Sequence, residues 1–213
     1  MSDQLLISII GAAVGVFLLR LWLRDLKTNQ AADSGEAPHT LPGASLATLG
    51  VCIIASIGAV VIVLAISAVE KFTGIDDQQS TIPYYYLLAM LGAAVTEEIV
   101  FRGYLIVRNR GRFMLVASAL FFSLVFSAMH PYLWVHVVES PSGIEWVTAI
   151  RLHPSTYAVV STASIAILSL WYYVVRFFGK NPSRSLLPCF CAHASANLSV
   201  FIIKLATGHI TLP

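Results

Sequence analysis

Four side chains capable of chemistry stand in stretches that are otherwise almost wholly apolar: Glu97, His130, His193 and Asn197. A carboxylate beside a water molecule can act as a general base, and imidazole and carboxamide N–H groups can donate hydrogen bonds to a developing oxyanion. The set suits hydrolysis of an acyl bond, a peptide bond above all, with no serine or cysteine nucleophile. Ser127 and Ser195 lie beside these residues, and nothing in the spacing marks either as a nucleophile. A lone histidine in a helical bundle is more often a packed residue, and an asparagine among Ala and Ser is more often interhelical glue. Their joint occurrence on three separate apolar segments is better explained by one site than by four accidents.

Glu97 has an immediate neighbour of the same charge. The run Glu97-Glu98-Ile99-Val100-Phe101-Arg102 sits inside an apolar stretch from Tyr84 to Val107. A carboxylate at bilayer depth costs about 3 kcal/mol or more, so it is expected to have a partner or a task. On a helix, Glu98 and Arg102 are four residues apart with the acid nearer the amino terminus, the favourable order for an ion pair. Glu97 points about 100° away and cannot share that pair equally. Glu98 and Arg102 are therefore expected to be structural, and Glu97 to face elsewhere. The competing reading places this helix near the cytoplasmic interface, both acids partly hydrated and Arg102 snorkelling to headgroups. Two further spacings matter: Phe126-x-x-x-His130, closed by Pro131, and His193-x-x-x-Asn197, which puts both polar groups on one helical face.

The elements that must position these groups are transmembrane. Of 213 residues, 57% are hydrophobic and only 11% charged, and the mean hydropathy is +0.79, well outside the soluble range. The expected fold is all-α, a polytopic transmembrane helical bundle forming a single membrane-embedded domain over residues 1–213. Six spans are predicted: Leu5 to Leu23, Leu46 to Val69, Tyr84 to Val107, Phe113 to Met129, Tyr157 to Phe178 and Leu186 to Leu205. Thr28 to Gly43 reads as a flexible loop. Pro131 to Pro154, with Tyr132, Trp134 and Trp146, reads as an interfacial or re-entrant segment, a lid over a cavity, or a plain extracellular loop. Ten of the thirteen Lys and Arg flank the odd-numbered connections (Arg20, Arg24, Lys27; Arg102, Arg108, Arg110, Arg112; Arg176, Lys180, Arg184), against Lys71, Arg151 and Lys204 on the other side. That asymmetry predicts both termini outside. The amino terminus, Met1-Ser2-Asp3-Gln4, reads as a retained anchor and not a cleaved leader. Cys52, Cys189 and Cys191 read as small hydrophobes, and a net charge of +2 with no basic stripe excludes nucleic acid as a partner.

The three motifs, Glu97-Glu98-x-x-x-Arg102, Phe126-x-x-x-His130 and His193-x-x-x-Asn197, taken in order, resemble the CAAX protease and bacteriocin-processing family of intramembrane endopeptidases, which includes the Ras-converting CAAX endopeptidase. The resemblance covers roughly residues 84–205, the family's catalytic core. It implies a glutamate-dependent endopeptidase in which Glu97 activates water with help from His130. His193 and Asn197 would then form the oxyanion hole, with Glu98, Arg102 and Phe126 in support. Two histidines and a glutamate could also bind zinc through Glu97, His130 and His193. A metal-free site with no cofactor is the favoured expectation, because Asn197 is a poor zinc ligand and a natural oxyanion donor. The implied substrate is a membrane-anchored peptide or protein, cut near the bilayer in a precursor or a C-terminal tail. The compact length points to a prokaryotic plasma (inner) membrane.

Two other classes of function remain open. A proton-coupled transporter would use Glu97, His130 and His193 as a relay, and would be expected to carry inverted repeats that this sequence lacks. A non-catalytic immunity or binding protein would keep the scaffold without turnover.

Overall fold

The computed structural model describes residues 3–31, 40–138, 148–177 and 179–212. Helices dominate: α1 (Asp3–Ala31), α2 (Leu49–Thr73), α3 (Tyr86–Glu97), α4 (Gly111–Ala128), α5 (Thr156–Phe177) and α6 (Leu187–Ala206). Among the described residues, five of them, all but α3, are long and apolar enough to cross a membrane. The expected helical bundle is thus the observed architecture.

Local chemistry sets the helix ends. Thr48 accepts a hydrogen bond from the Val51 N–H at the start of α2, and Gly74 ends that helix at φ 66°, a left-handed cap that a side chain would strain. The Ser155 hydroxyl accepts from the Ala158 N–H where α5 begins after Pro154, and Pro188 occupies the first turn of α6, where its missing N–H is harmless. Three expected boundaries shift. α1 runs on to Ala31, so the flexible loop expected from Thr28 is helical for its first four residues, and residues 32–39 of it lie outside the described residues. Phe178, the expected end of the fifth span, and Met1 and Ser2 of the expected anchor also lie outside them.

The third span departs most from expectation. It is not one α-helix to Val107: α3 stops at Glu97, and the rod continues as a π-helix over Glu98–Tyr104. The Leu105 N–H closes this segment on the Val100 carbonyl, five residues back. Small strands supplement the helices. β1 (Ile82–Pro83) runs parallel to β4 (Ile210–Thr211), tying the start of α3 to the end of α6. β2 (Trp134–Val138) pairs antiparallel with β3 (Thr148–Leu152). The segment expected as a lid or interfacial loop is therefore a hairpin at its two ends, and Trp146 lies outside the described residues.

Small residues allow the closest helix contact. α1 and α3 pack side by side, with Gly15 against Gly92. A Cβ built on either glycine would collide with the backbone of the other helix. This is the packing that membrane helices use where apolar burial alone gives no drive to associate. Replacing Gly92 by Ala is expected to lower stability by about 1–3 kcal/mol through overpacking, read as a drop in unfolding temperature in detergent. Gly50→Ala, where the added methyl meets open space, should leave that temperature unchanged.

Candidate active site

Arg102 is the centre from which the site is built. Its side chain is fully buried, and its Nη1 lies 3.2 Å from Glu98 Oε1, likewise fully buried. The expected pair forms, and the hydrated interfacial alternative does not hold for these two residues. Nη2 donates to the Ser169 hydroxyl at 2.6 Å and to the Ser169 carbonyl at 3.1 Å, and Ser169 donates on to Ser123 at 2.9 Å. Aromatic faces complete the enclosure. The guanidinium carbon lies 4.8 Å from the Phe126 ring centre, 4.9 Å from Tyr173 and 5.1 Å from Tyr172, contacts that favour a cation in an apolar setting. Phe126 therefore belongs with the motif for a physical reason: it covers Arg102 on one side and meets His130 edge-on at 4.9 Å on another.

Glu98 does more than neutralise Arg102. Its Oε1 also accepts from His193 Nδ1 at 2.8 Å, and its Oε2 has no protein hydrogen-bond partner among the described residues. The His193 ring is further held by stacking on Tyr172, with ring centres 4.8 Å apart and planes at 19°. With Nδ1 engaged, Nε2 is the ring atom left to serve the site. It lies 3.7 Å from Glu97 Oε2. Sequence reasoning assigned Glu98 to Arg102 alone, and the structure adds its hold on His193.

Glu97 faces a cavity of about 340 Å³. His130, His193 and Asn197 line the same cavity, so the four expected residues converge from α3, α6 and the end of α4. His130 is fixed by a 2.9 Å contact between Nδ1 and the Phe126 carbonyl. Asn197 donates one Nδ2 hydrogen to the Met90 carbonyl at 2.7 Å, and a carboxamide retains a second N–H. Tyr132 stands at the rim, where burial pushes its phenol up to about 12 and keeps it neutral. Sequence reasoning missed the contribution of α5: Ser169, Tyr172 and Tyr173 are hydroxyl-bearing residues in an apolar helix, and their spacing of three to four is the signal that was there to find. The Tyr173 hydroxyl lies 2.9 Å from the Phe101 carbonyl and 3.2 Å from that of Leu105, both at the π-helix.

As to zinc, no three His, Cys, Asp or Glu side chains among the described residues group closely enough to hold a metal ion.

The arrangement has a counterpart among known families. The profile of the type II CAAX prenyl endopeptidase Rce1-like family matches residues 79–199, more than half of the chain and all three motifs. No curated protein and no solved structure matches significantly.

The two adjacent acids should respond differently to neutralisation. Glu98→Gln strands the buried Arg102 charge and is expected to destabilise by roughly 3–5 kcal/mol, the range for breaking one side of a buried pair. Glu97→Gln, at a carboxylate that is 30% exposed to the cavity, should leave the fold unchanged. Thermal unfolding of both variants in detergent checks this, and equal destabilisation would remove the division of roles.

Proposed function

Since the chain belongs to the Rce1-like family of type II CAAX prenyl endopeptidases, we propose that it is a glutamate-dependent intramembrane endopeptidase, cutting a membrane-anchored peptide or protein near the bilayer. The observation that carries this reading is the single acid left facing the cavity. Glu98 is walled in with Arg102, whereas Glu97 opens onto a space it shares with His130, His193 and Asn197.

In the proposed reaction Glu97 accepts a proton from a cavity water, with the free nitrogen of His130 helping to orient that water. The water oxygen attacks the scissile carbonyl carbon and the carbonyl electron pair moves onto oxygen. Asn197 donates its free N–H to that oxyanion. His193 Nε2 donates as well in the form of the ring that carries both protons, its Nδ1–H being given to Glu98 at 2.8 Å. Collapse of the tetrahedral intermediate breaks the C–N bond, and the proton held by Glu97 passes to the leaving amine. No metal and no covalent enzyme intermediate is needed. Ile165 and Leu168, which also line the cavity, would meet apolar side chains of the substrate. A prokaryotic plasma membrane is the proposed location.

Glu97→Gln should lower cleavage by about 10²–10⁴-fold, the usual contribution of a general base, and Asn197→Ala by about 10²–10³-fold, as for an oxyanion donor. The measurement is the set of peptides that accumulate uncleaved in membranes of the variant against the wild type. Proton flux that depends on Glu97, with no peptide changing, would replace the peptidase by a transporter. Cleavage should also survive exhaustive chelation, and a loss that added zinc restores would overturn the metal-free mechanism.

A further inference from the structure

The cavity that holds Glu97 has a closed end and an open end. Behind the closed end, which Glu97, Phe126, Tyr172 and His193 line, lies the buried group of Glu98, Arg102, Ser123 and Ser169, all at 0% exposure, with Tyr173 at 1%. From there the lining climbs α3 from Glu97 through Met90 to Tyr86, the first residue of that helix, and climbs α6 from His193 through Asn197 to Val200. Tyr132, which lies beyond the last turn of α4, completes the rim. A second recess of about 120 Å³ adjoins it, sharing Tyr132, Ile165, Leu168 and Val200. That recess continues to Glu70 near the end of α2 and to Gln79 and Ser80 in the following loop. The lining of both hollows thus reaches one end of the bundle, where α2, α4 and α6 finish and α3 and α5 begin.

The cations are distributed the other way. Arg102 and Arg176 are buried in the fold and drop out of the loop count. The remaining Arg20, Arg24, Lys27, Arg108, Arg110, Arg112, Lys180 and Arg184 are exposed and lie at the closed end or beyond it. Among the described residues, the cations at the open end are Lys71, Arg151 and Lys204, alongside Glu70, Asp76 and Asp77. Lysine and arginine in short loops are retained on the cytoplasmic side. Removing the two buried arginines leaves that bias intact and assigns it to the floor of the site.

We infer that the catalytic cavity is entered from the extracytoplasmic face, so that the substrate is a polypeptide segment presented at the outer surface of the membrane. This rests on the peptidase reading for the word substrate, and the direction of access stands on the charge map and cavity shape alone. A segment anchored in the cytoplasmic leaflet would meet the closed floor, sealed by the Arg102 group. An exported precursor, or the outer tail of a membrane-anchored protein, would meet Tyr86 and Tyr132 at the rim.

The test uses thiol labelling of the full chain in intact cells. Cys52, Cys189 and Cys191 are replaced by Ala, and single cysteines are introduced at Gln78 or Leu212 at the open end and at Gln30 or Asn109 at the closed end, all exposed positions. A fifth, Ala93→Cys, lies inside the cavity. A charged, membrane-impermeant maleimide should label Gln78→Cys and Leu212→Cys from outside, and Gln30→Cys and Asn109→Cys only after permeabilisation. A small charged methanethiosulfonate should reach Ala93→Cys from outside. The reverse pattern at the two ends, or labelling of Ala93→Cys only after permeabilisation, overturns the inference. Two sites at each end keep the readout intact if one variant fails to insert. Labelling requires no turnover, so repeating it in the Glu97→Gln background separates a wrong side of access from a wrong activity.

Discussion

A guanidinium with no exposed surface is the constraint on which this structure depends. Arg102 sits where water cannot reach it, so its charge has to be balanced by protein groups alone. Each group that does so comes from a different part of the chain: Glu98 from the same π-helix, Ser169 and two tyrosine rings from α5, and Phe126 from α4. His193 adds α6 through the shared Glu98 oxygen. A buried ion pair adds little net stability over well-packed apolar residues, whereas leaving one partner alone is costly. Its effect is therefore felt in registration. Any rotation or slide of α4, α5 or α6 that moved these groups off Arg102 would leave a bare charge in the core.

The π-helix follows from the same demand. The last carbonyls of any helix lack a partner within it and need one from outside. The wider turn adds a residue and shifts the carbonyls of Phe101 and Leu105 towards α5, where the Tyr173 hydroxyl meets them. π-turns within helices are frequent at functional sites. In this protein the turn begins at the boundary between the two glutamates, so Glu97 ends a regular helix that lines the cavity while Glu98 starts the segment that faces the core. The close packing of Gly15 on Gly92 then anchors the regular part of the rod five residues before Glu97.

Much of this was legible in the sequence because membrane chemistry makes polar residues conspicuous. The six helical segments were visible as apolar runs, and the Glu98–Arg102 pair followed from a spacing of four. The convergence of Glu97, His130, His193 and Asn197 on one cavity was foreseeable from their rarity in such runs. The π-helix was not, because a lone stretch of Ile, Val, Phe and Gly carries no signal that distinguishes it from an α-helix. Nor was the hold of Glu98 on His193, since 95 residues separate them and only packing brings them to 2.8 Å. The hydroxyl groups of α5 were hidden by type: Ser and Tyr are common enough in membrane helices to pass as packing residues. The pairing of β2 with β3 was not legible, and the segment was left between an interfacial stretch, a lid and a plain loop, because aromatic content reports depth better than it reports conformation.

The adjacency of the two acids has its own electrostatic logic. Two bare carboxylates on adjacent residues repel each other, the more so where water is scarce. Placing Arg102 on Glu98 removes most of that repulsion at Glu97 without presenting a cation to the cavity, because the guanidinium lies behind the acid it neutralises. His193 reaches both acids, at 2.8 Å through Nδ1 and 3.7 Å through Nε2. The buried pair is thus structural in what it touches and chemical in its effect: it lets the next residue in the chain carry a charge in a membrane and keep a face free for a substrate.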